Sequence, residues 1–364
     1  MKANKWLLLF LAVCLVFSLA ACDGGGGSGE SAIPVSDNYL CFKANENNCS
    51  ISATINFSLT TTPSLEYSTD KENWAPFIIN STTVDLTNAG DKVYIRATSA
   101  NASFSDDDGW ITFETSKSVS ASGNIMSLLD KNCGGNSVPD NAFRYLFYNA
   151  TLTTAPELPA TTLGSWCYES MFEGCSFLTT APELPATSLA ERCYEDMFRN
   201  CSSLTTVPAL PATTLAEGCY SEMFYGCSSL TMAPALPATT LASWCYDGMF
   251  SFCSSLTTAP VLLATTLVDF CYAFMFEGCS FLTTAPELPA IALANNCYRC
   301  MFNGCSRLSS ITVYFTTWDD SYTFGWVDGV AASGQLHCPE DLPDEVDYIN
   351  CSKKPGSWTK VPLP

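Results

Sequence analysis

The feature that most restricts how this chain can fold is a fixed period of 26 residues. Cys167, Cys193, Cys219, Cys245, Cys271 and Cys297 form one set at that interval, and Cys175, Cys201, Cys227, Cys253, Cys279 and Cys305 form a second. Seven leucine-led runs, starting at Leu152, Leu178, Leu204, Leu230, Leu256, Leu282 and Leu308, keep the same register. Such a period marks a solenoid, because one short unit cannot cover its own apolar face and must stack on its neighbours. Hydrophobic residues make up 47% of the chain and charged residues 14%, which is enough apolar surface for a continuous core and too little charge for disorder.

Each unit divides into two halves. Leu178-Thr-Thr-Ala181 has the length and residue types of a short parallel strand, which Pro182 must end because it brings no amide to a ladder. Further along, Leu189, Cys193, Met197 and Phe198 fall at helical spacing and predict about two turns of helix, closed by Asn200 or by the Gly found there in most units. The tail Met197-Phe198-Arg199-Asn200-Cys201-Ser202-Ser203-Leu204 resembles the leucine-rich repeats of BspA-like bacterial surface proteins, whose helix ends in Ala-Phe-x-x-Cys-x-x-Leu. The resemblance implies an α/β leucine-rich-repeat solenoid of stacked short parallel strands and helices, used for attachment to host or bacterial surfaces.

The N-terminus carries an address. Lys2 and Lys5 precede the apolar run Trp6 to Leu19, and Leu19-Ala20-Ala21-Cys22 resembles the bacterial lipoprotein box, with Cys22 as the lipid attachment residue. The expected organisation is a signal peptide over 1–21, a flexible Gly/Ser linker over 22–35, an all-β sandwich-like domain over 36–122, the solenoid over 123–318 and a C-terminal cap over 319–364. A formal charge of −20 makes nucleic acid and anionic headgroups poor partners for the folded body.

Within 36–122, alternating runs at 51–59, 93–99 and 110–116 read as strands. Ser68-Thr-Asp-Lys-Glu-Asn-Trp74 resembles the Asp-box hairpin, in which Ser and Asp tie a turn and Trp packs beneath it; that motif is structural and implies no glycosidase activity. The run Asp106-Asp107-Asp108 lacks the every-second-residue spacing of a calcium loop and reads as a solvated turn.

Candidate chemistry is sparse. The repeat cysteines are spaced Cys-x7-Cys, against the close pairs of zinc sites, and read as buried thiols. The alternative is a disulfide within each unit, since Ala142 and Ala150 replace both cysteines together in the first, although eight residues of helix span about 12 Å, too far for a bridge. Cys41 with Cys49, and more so Cys338 with Cys351, are the candidate disulfides. The single histidine, His337, reads as a loop residue beside Cys338. No P-loop, dinucleotide fingerprint or zincin motif occurs, and no cofactor is expected. Comparison of the units shows invariant Leu, Pro, Tyr and Phe positions and variable outer ones, among them Trp166, Trp244 and Phe270, a candidate contact surface. These readings converge on a non-catalytic, lipid-anchored protein of the bacterial cell envelope, at the outer membrane or cell surface, which binds a host or bacterial protein or glycan. The alternative is a carbohydrate-processing enzyme or accessory glycan-binding protein built on the β segment.

Overall fold

The computed structural model describes residues 38–318, 320–343 and 357–363, all of which belong to one compact unit. It is nearly all β, with 25% of residues in strands and 2% helical, and its repeats form a β-solenoid of about 8 turns. This overturns the α/β leucine-rich-repeat expectation. The repeats are stacked as predicted, but no repeat contains a helix.

The chain enters through two facing sheets. Strands β1 (Leu40–Ala44), β2 (Cys49–Phe57), β3 (Leu65–Ser68), β4 (Ala75–Phe77), β5 (Thr83–Leu86), β6 (Lys92–Ala97), β7 (Gly109–Thr115) and β8 (Val119–Ser122) alternate buried and exposed residues over much of their length. The smaller sheet has the order β5-β2-β7. After a 3-10 turn, Ile125–Leu128, come the short strands β9 (Ser137–Val138), β10 (Leu152–Thr154) and β11 (Thr162–Leu163). The larger sheet runs β10-β8-β1-β6-β3-β4, so a strand of the first coil pairs in parallel with β8 and the solenoid begins as a continuation of the sandwich.

In the half of each coil predicted to be strand, the ladder is thin. Neighbouring coils meet there mostly by single bridges, such as Thr180 with Thr206, Thr214 with Thr240 and Met232 with Thr258. Prolines at two places in most coils, and at one in the coil that carries Leu263, remove the amides that would extend those bridges. Regular pairing returns at the C-terminal end, where β12 (Thr284–Leu288), β13 (Ser310–Val313), β14 (Ser333–Cys338) and β15 (Ser357–Pro362) form a parallel sheet. Between β13 and β14 lies the four-residue helix α1 (Asp320–Thr323).

The half predicted to be helix carries the ladder instead. Trp166, Tyr168, Ser170, Phe172 and Gly174 donate their N–H groups to the carbonyls of Glu191, Cys193, Glu195, Met197 and Arg199 on the next coil, over 2.8–3.0 Å. The amides between them, on Glu169, Met171, Glu173 and Cys175, each donate to the carbonyl three residues earlier. An α-helix would send every amide four residues back. Every fourth residue also has positive φ, namely Trp166 (54°), Ser170 (51°) and Gly174 (74°), which right-handed helix forbids. The segment is therefore a row of four-residue turns, and alternate amides tie it to the next coil. The same pattern runs from coil to coil and reaches Ser321, Tyr322, Phe324, Trp326 and Asp328, which accept from Asn296, Tyr298, Cys300, Phe302 and Gly304.

A four-residue turn buries adjacent pairs at a period of four. Cys193 and Tyr194, then Met197 and Phe198, then Cys201 are buried to within 1% of fully. Stacked coil on coil, Tyr168, Tyr194, Tyr220, Tyr246, Tyr272 and Tyr298 make one ring column, and Phe172 to Phe302 make a second. Centroids within each column are 5.6–6.1 Å apart, with planes within 11°. Aromatic contacts of this kind add about 0.5–1.5 kcal/mol each beyond the area they bury.

Candidate functional site

The row of turns forms a wall, and the pairs that do not enter the core make its outer surface. Left-handed positions recur every four residues along it, at 166, 170 and 174 in one coil and at 244, 248 and 252 in another, with Ser170 and Gly248 covered by their neighbours. Larger side chains there lie over small residues of the following coil. A Cβ added to Gly226 would sit 2.5 Å from Asn200 Oδ1, and one added to Gly278 would sit 2.7 Å from the Phe252 ring. Glycine is required at these two places both by φ near +70° and by that approach.

Of the predicted contact residues, Trp244 and Phe270 are brought together. They occupy the same place in adjacent coils, are half-buried, and stack at 3.8 Å with planes 8° apart. Trp166 lies in the same column but is separated from them by Arg192 and Gly218, and it joins no aromatic contact among the described residues. Sequence reasoning missed Tyr225 and Phe252, whose rings are 5.3 Å apart, although Phe252 is 46% exposed. The signal was available: Phe252 follows Trp244 by two four-residue steps, so it shares the outer column of Trp244.

Carboxylates fill much of the remaining wall. Arg144 Nε lies 2.6 Å from Glu169 Oε2, Arg192 lies 2.9 Å from Glu195, and Arg199 pairs with Asp196 at 3.1 Å and with Glu222. Burial pushes Glu195 up to about 7, with Arg192 opposing, and pushes Asp247 to about 7 with help from the charges of Glu195 and Glu277. Asp247 Oδ1 is buried with no hydrogen-bond partner among the described residues. Neither Glu195 nor Asp247 lines a hollow described below, and among the described residues no three His, Cys, Asp or Glu side chains are grouped to hold a metal.

The repeat cysteines are buried thiols whose pKa values burial drives upward. Those of the second set have a defined partner. Cys201 Sγ donates to the Phe172 carbonyl on the preceding coil at 3.1 Å, and Cys227, Cys253, Cys279 and Cys305 do the same to Phe198, Phe224, Phe250 and Phe276. Ala150 stands at this place in the first coil, which has no earlier coil to meet. Cys41 and Cys49 are separate thiols; Cys49 Sγ donates to the Glu46 carbonyl at 3.2 Å. Cys338 is buried in β14, while Cys351, its candidate partner, and Cys22 lie outside the described residues. His337 is in β14 between Thr312 and Val361, and not in a loop, because the parallel sheet extends further than the repeat does.

The Asp-box-like segment does what its residue types suggest. Asp70 accepts from the amides of Glu72 and Asn73, both at 2.8 Å, and from Ser68 Oγ. These bonds, led by that from Asn73, hold its carboxyl well below the usual range. Trp74 packs against Arg96, whose guanidinium lies 3.6 Å from the ring. Asp106 likewise closes its own turn, accepting from Thr60, Asp108 and Gly109. Among the described residues no helix is long and apolar enough to cross a membrane. No family model matches the chain, and no curated protein matches it.

Proposed function

We propose that this chain is a non-catalytic, lipid-anchored protein of the bacterial cell envelope whose solenoid wall binds a surface protein or glycan. The observation that carries this reading is the contrast between an unvarying interior and a varied exterior. The Tyr, Met, Phe and Cys columns repeat without change over six coils, while the outer column reads Trp166, Arg192, Gly218, Trp244, Phe270, Asn296. The Trp244–Phe270 stack, with Tyr225 and Phe252 along the same wall, is a half-exposed aromatic patch edged by acids, the composition favoured at contact surfaces. The carboxylates with raised pKa values are explained by burial among neighbouring side chains, so they call for no reaction.

Anchoring rests on the Leu19-Ala20-Ala21-Cys22 box and the glycine linker behind it. Two measurements test the proposal. Protease added to intact cells of a strain producing the chain should cleave it, and Cys22→Ser should release it from the membrane fraction. Immobilised matrix proteins and glycans should bind it saturably, with at least a tenfold loss in the Trp244→Ala, Phe270→Ala double variant. Saturable binding that the double variant leaves intact would remove the wall from the account.

A further inference from the structure

A second site lies where the sandwich meets the first coil. A hollow of about 410 Å³ is bordered there by Asn56, Trp110 and Glu114 from β2 and β7, and by Tyr148 and Asn149 from the coil. Its two walls are tied together. Phe113 N–H donates to the Leu146 carbonyl at 2.8 Å, Thr112 Oγ1 to the Tyr145 carbonyl at 3.1 Å, and Thr151 N–H to Thr115 Oγ1 at 2.9 Å. The shape of the hollow is thus fixed by hydrogen bonds between its own walls, the preorganisation that a binding site requires.

Its lining has two chemistries. One is aromatic: Trp110 and Tyr148 border the hollow and belong to a strip of four rings, which Phe57 extends from Trp110 at 5.2 Å and which Tyr145 bridges, 4.5 Å from Trp110 and 5.8 Å from Tyr148. The ends of the strip are open, since Phe57 is 81% and Tyr148 38% exposed. Phe57 also sits at φ 67°, a conformation costly for a bulky side chain that points the ring away from the core. The second chemistry is polar. Glu114 accepts from Thr54 through Oε1 alone, and the Asn149 amide and Tyr148 hydroxyl make no hydrogen bond to the described protein. A carboxylate, an amide and a phenol, each with unused capacity, stand beside apolar ring faces.

We propose that this hollow is a saccharide subsite, distinct from the solenoid wall. Sugar rings present C–H faces to aromatic side chains and hydroxyls at their edges to carboxylate and amide groups, which matches both linings. The sugar is neutral: no Lys or Arg borders the hollow, and Arg144, over Tyr145 at 5.3 Å, is paired with Glu169, so nothing in the hollow offsets an anionic residue beside Glu114.

The test is saturation-transfer NMR and calorimetry on the full soluble chain, residues 23–364, with cello-, xylo-, manno- and chito-hexaose and with a polygalacturonate oligomer. At least one neutral hexaose should bind saturably and the anionic oligomer should not. Tyr148→Ala, Glu114→Gln and Asn149→Gly, the last keeping a residue that tolerates positive φ, should each weaken binding about tenfold, whereas the Trp244→Ala, Phe270→Ala variant should bind as the parent does. No binding across the neutral panel, preference for the anionic oligomer, or equal binding by all three hollow variants would overturn the assignment. Loss in the wall variant alone would place the sugar on the wall and leave only the general reading of the preceding section standing.

Discussion

The two halves of each coil reverse the roles their residues suggest. The threonine half has β-branched residues in short runs, yet it holds neighbouring coils together by single bridges. The cysteine-tyrosine-phenylalanine half is spaced like a helix, yet alternate amides along it reach the next coil. The difference teaches that a ladder forms where free amides are available in register, and side-chain propensity is secondary. Prolines deplete the first half of donors. In the second, positive φ at every fourth residue turns half of the amides outward.

The comparison is broken most forcefully at a ring of the second half. Phe224→Ala removes a fully buried member of the phenylalanine column between Phe198 and Phe250, and should cost about 3–5 kcal/mol in chemical denaturation, enough to unfold the neighbouring coils. A loss below about 1 kcal/mol would show that the column is not what holds the wall.

A smaller effect comes from the wall's acids. Asp247 holds its proton up to about 7, above the ordinary carboxylate range, so the folded chain binds more protons than the unfolded one between those limits. Its favourable contribution is complete below about pH 4 and is lost as the pH rises through about 7. Asp247→Asn should therefore stabilise the chain at pH 8, by on the order of 1–2 kcal/mol, and leave stability at pH 4 nearly unchanged. Thermal melts of both proteins across that range check the sign.

The smallest effect is expected in the threonine half. Pro211 is exposed, and the matching place two coils later is Leu263, so Pro211→Ala should change stability by about half a kcal/mol or less. A large loss would mean that the proline half, too, carries the stacking.

The solenoid was legible because a period read from residues such as Cys193 and Cys219 needs no knowledge of backbone conformation. The helix was misread for a physical reason. Leu189, Cys193, Met197 and Cys201 repeat every four residues and not every 3.6, and over a dozen residues the two periods expose nearly the same faces. What separated them was the outer column. Trp, Arg, Asp, Glu and Phe at left-handed φ give no compositional warning of it, whereas Gly174, Gly226 and Gly278 mark one of its three places. Half of the wall's aromatic patch was found from coil-to-coil variation, and Phe252 was lost to the same error of period. The hollow at Trp110 was invisible because β7 and the first coil are brought side by side only by the fold.

The parallel pairing of β8 with β10 has a consequence for how the chain assembles. Successive coils are so alike that any one could dock on a wrong neighbour with nearly the same fit, leaving a loop of one skipped unit. The first coil faces β8, a partner of different sequence, and the last faces the C-terminal strands, so these two seams supply the counting marks from which the coils between them take their places.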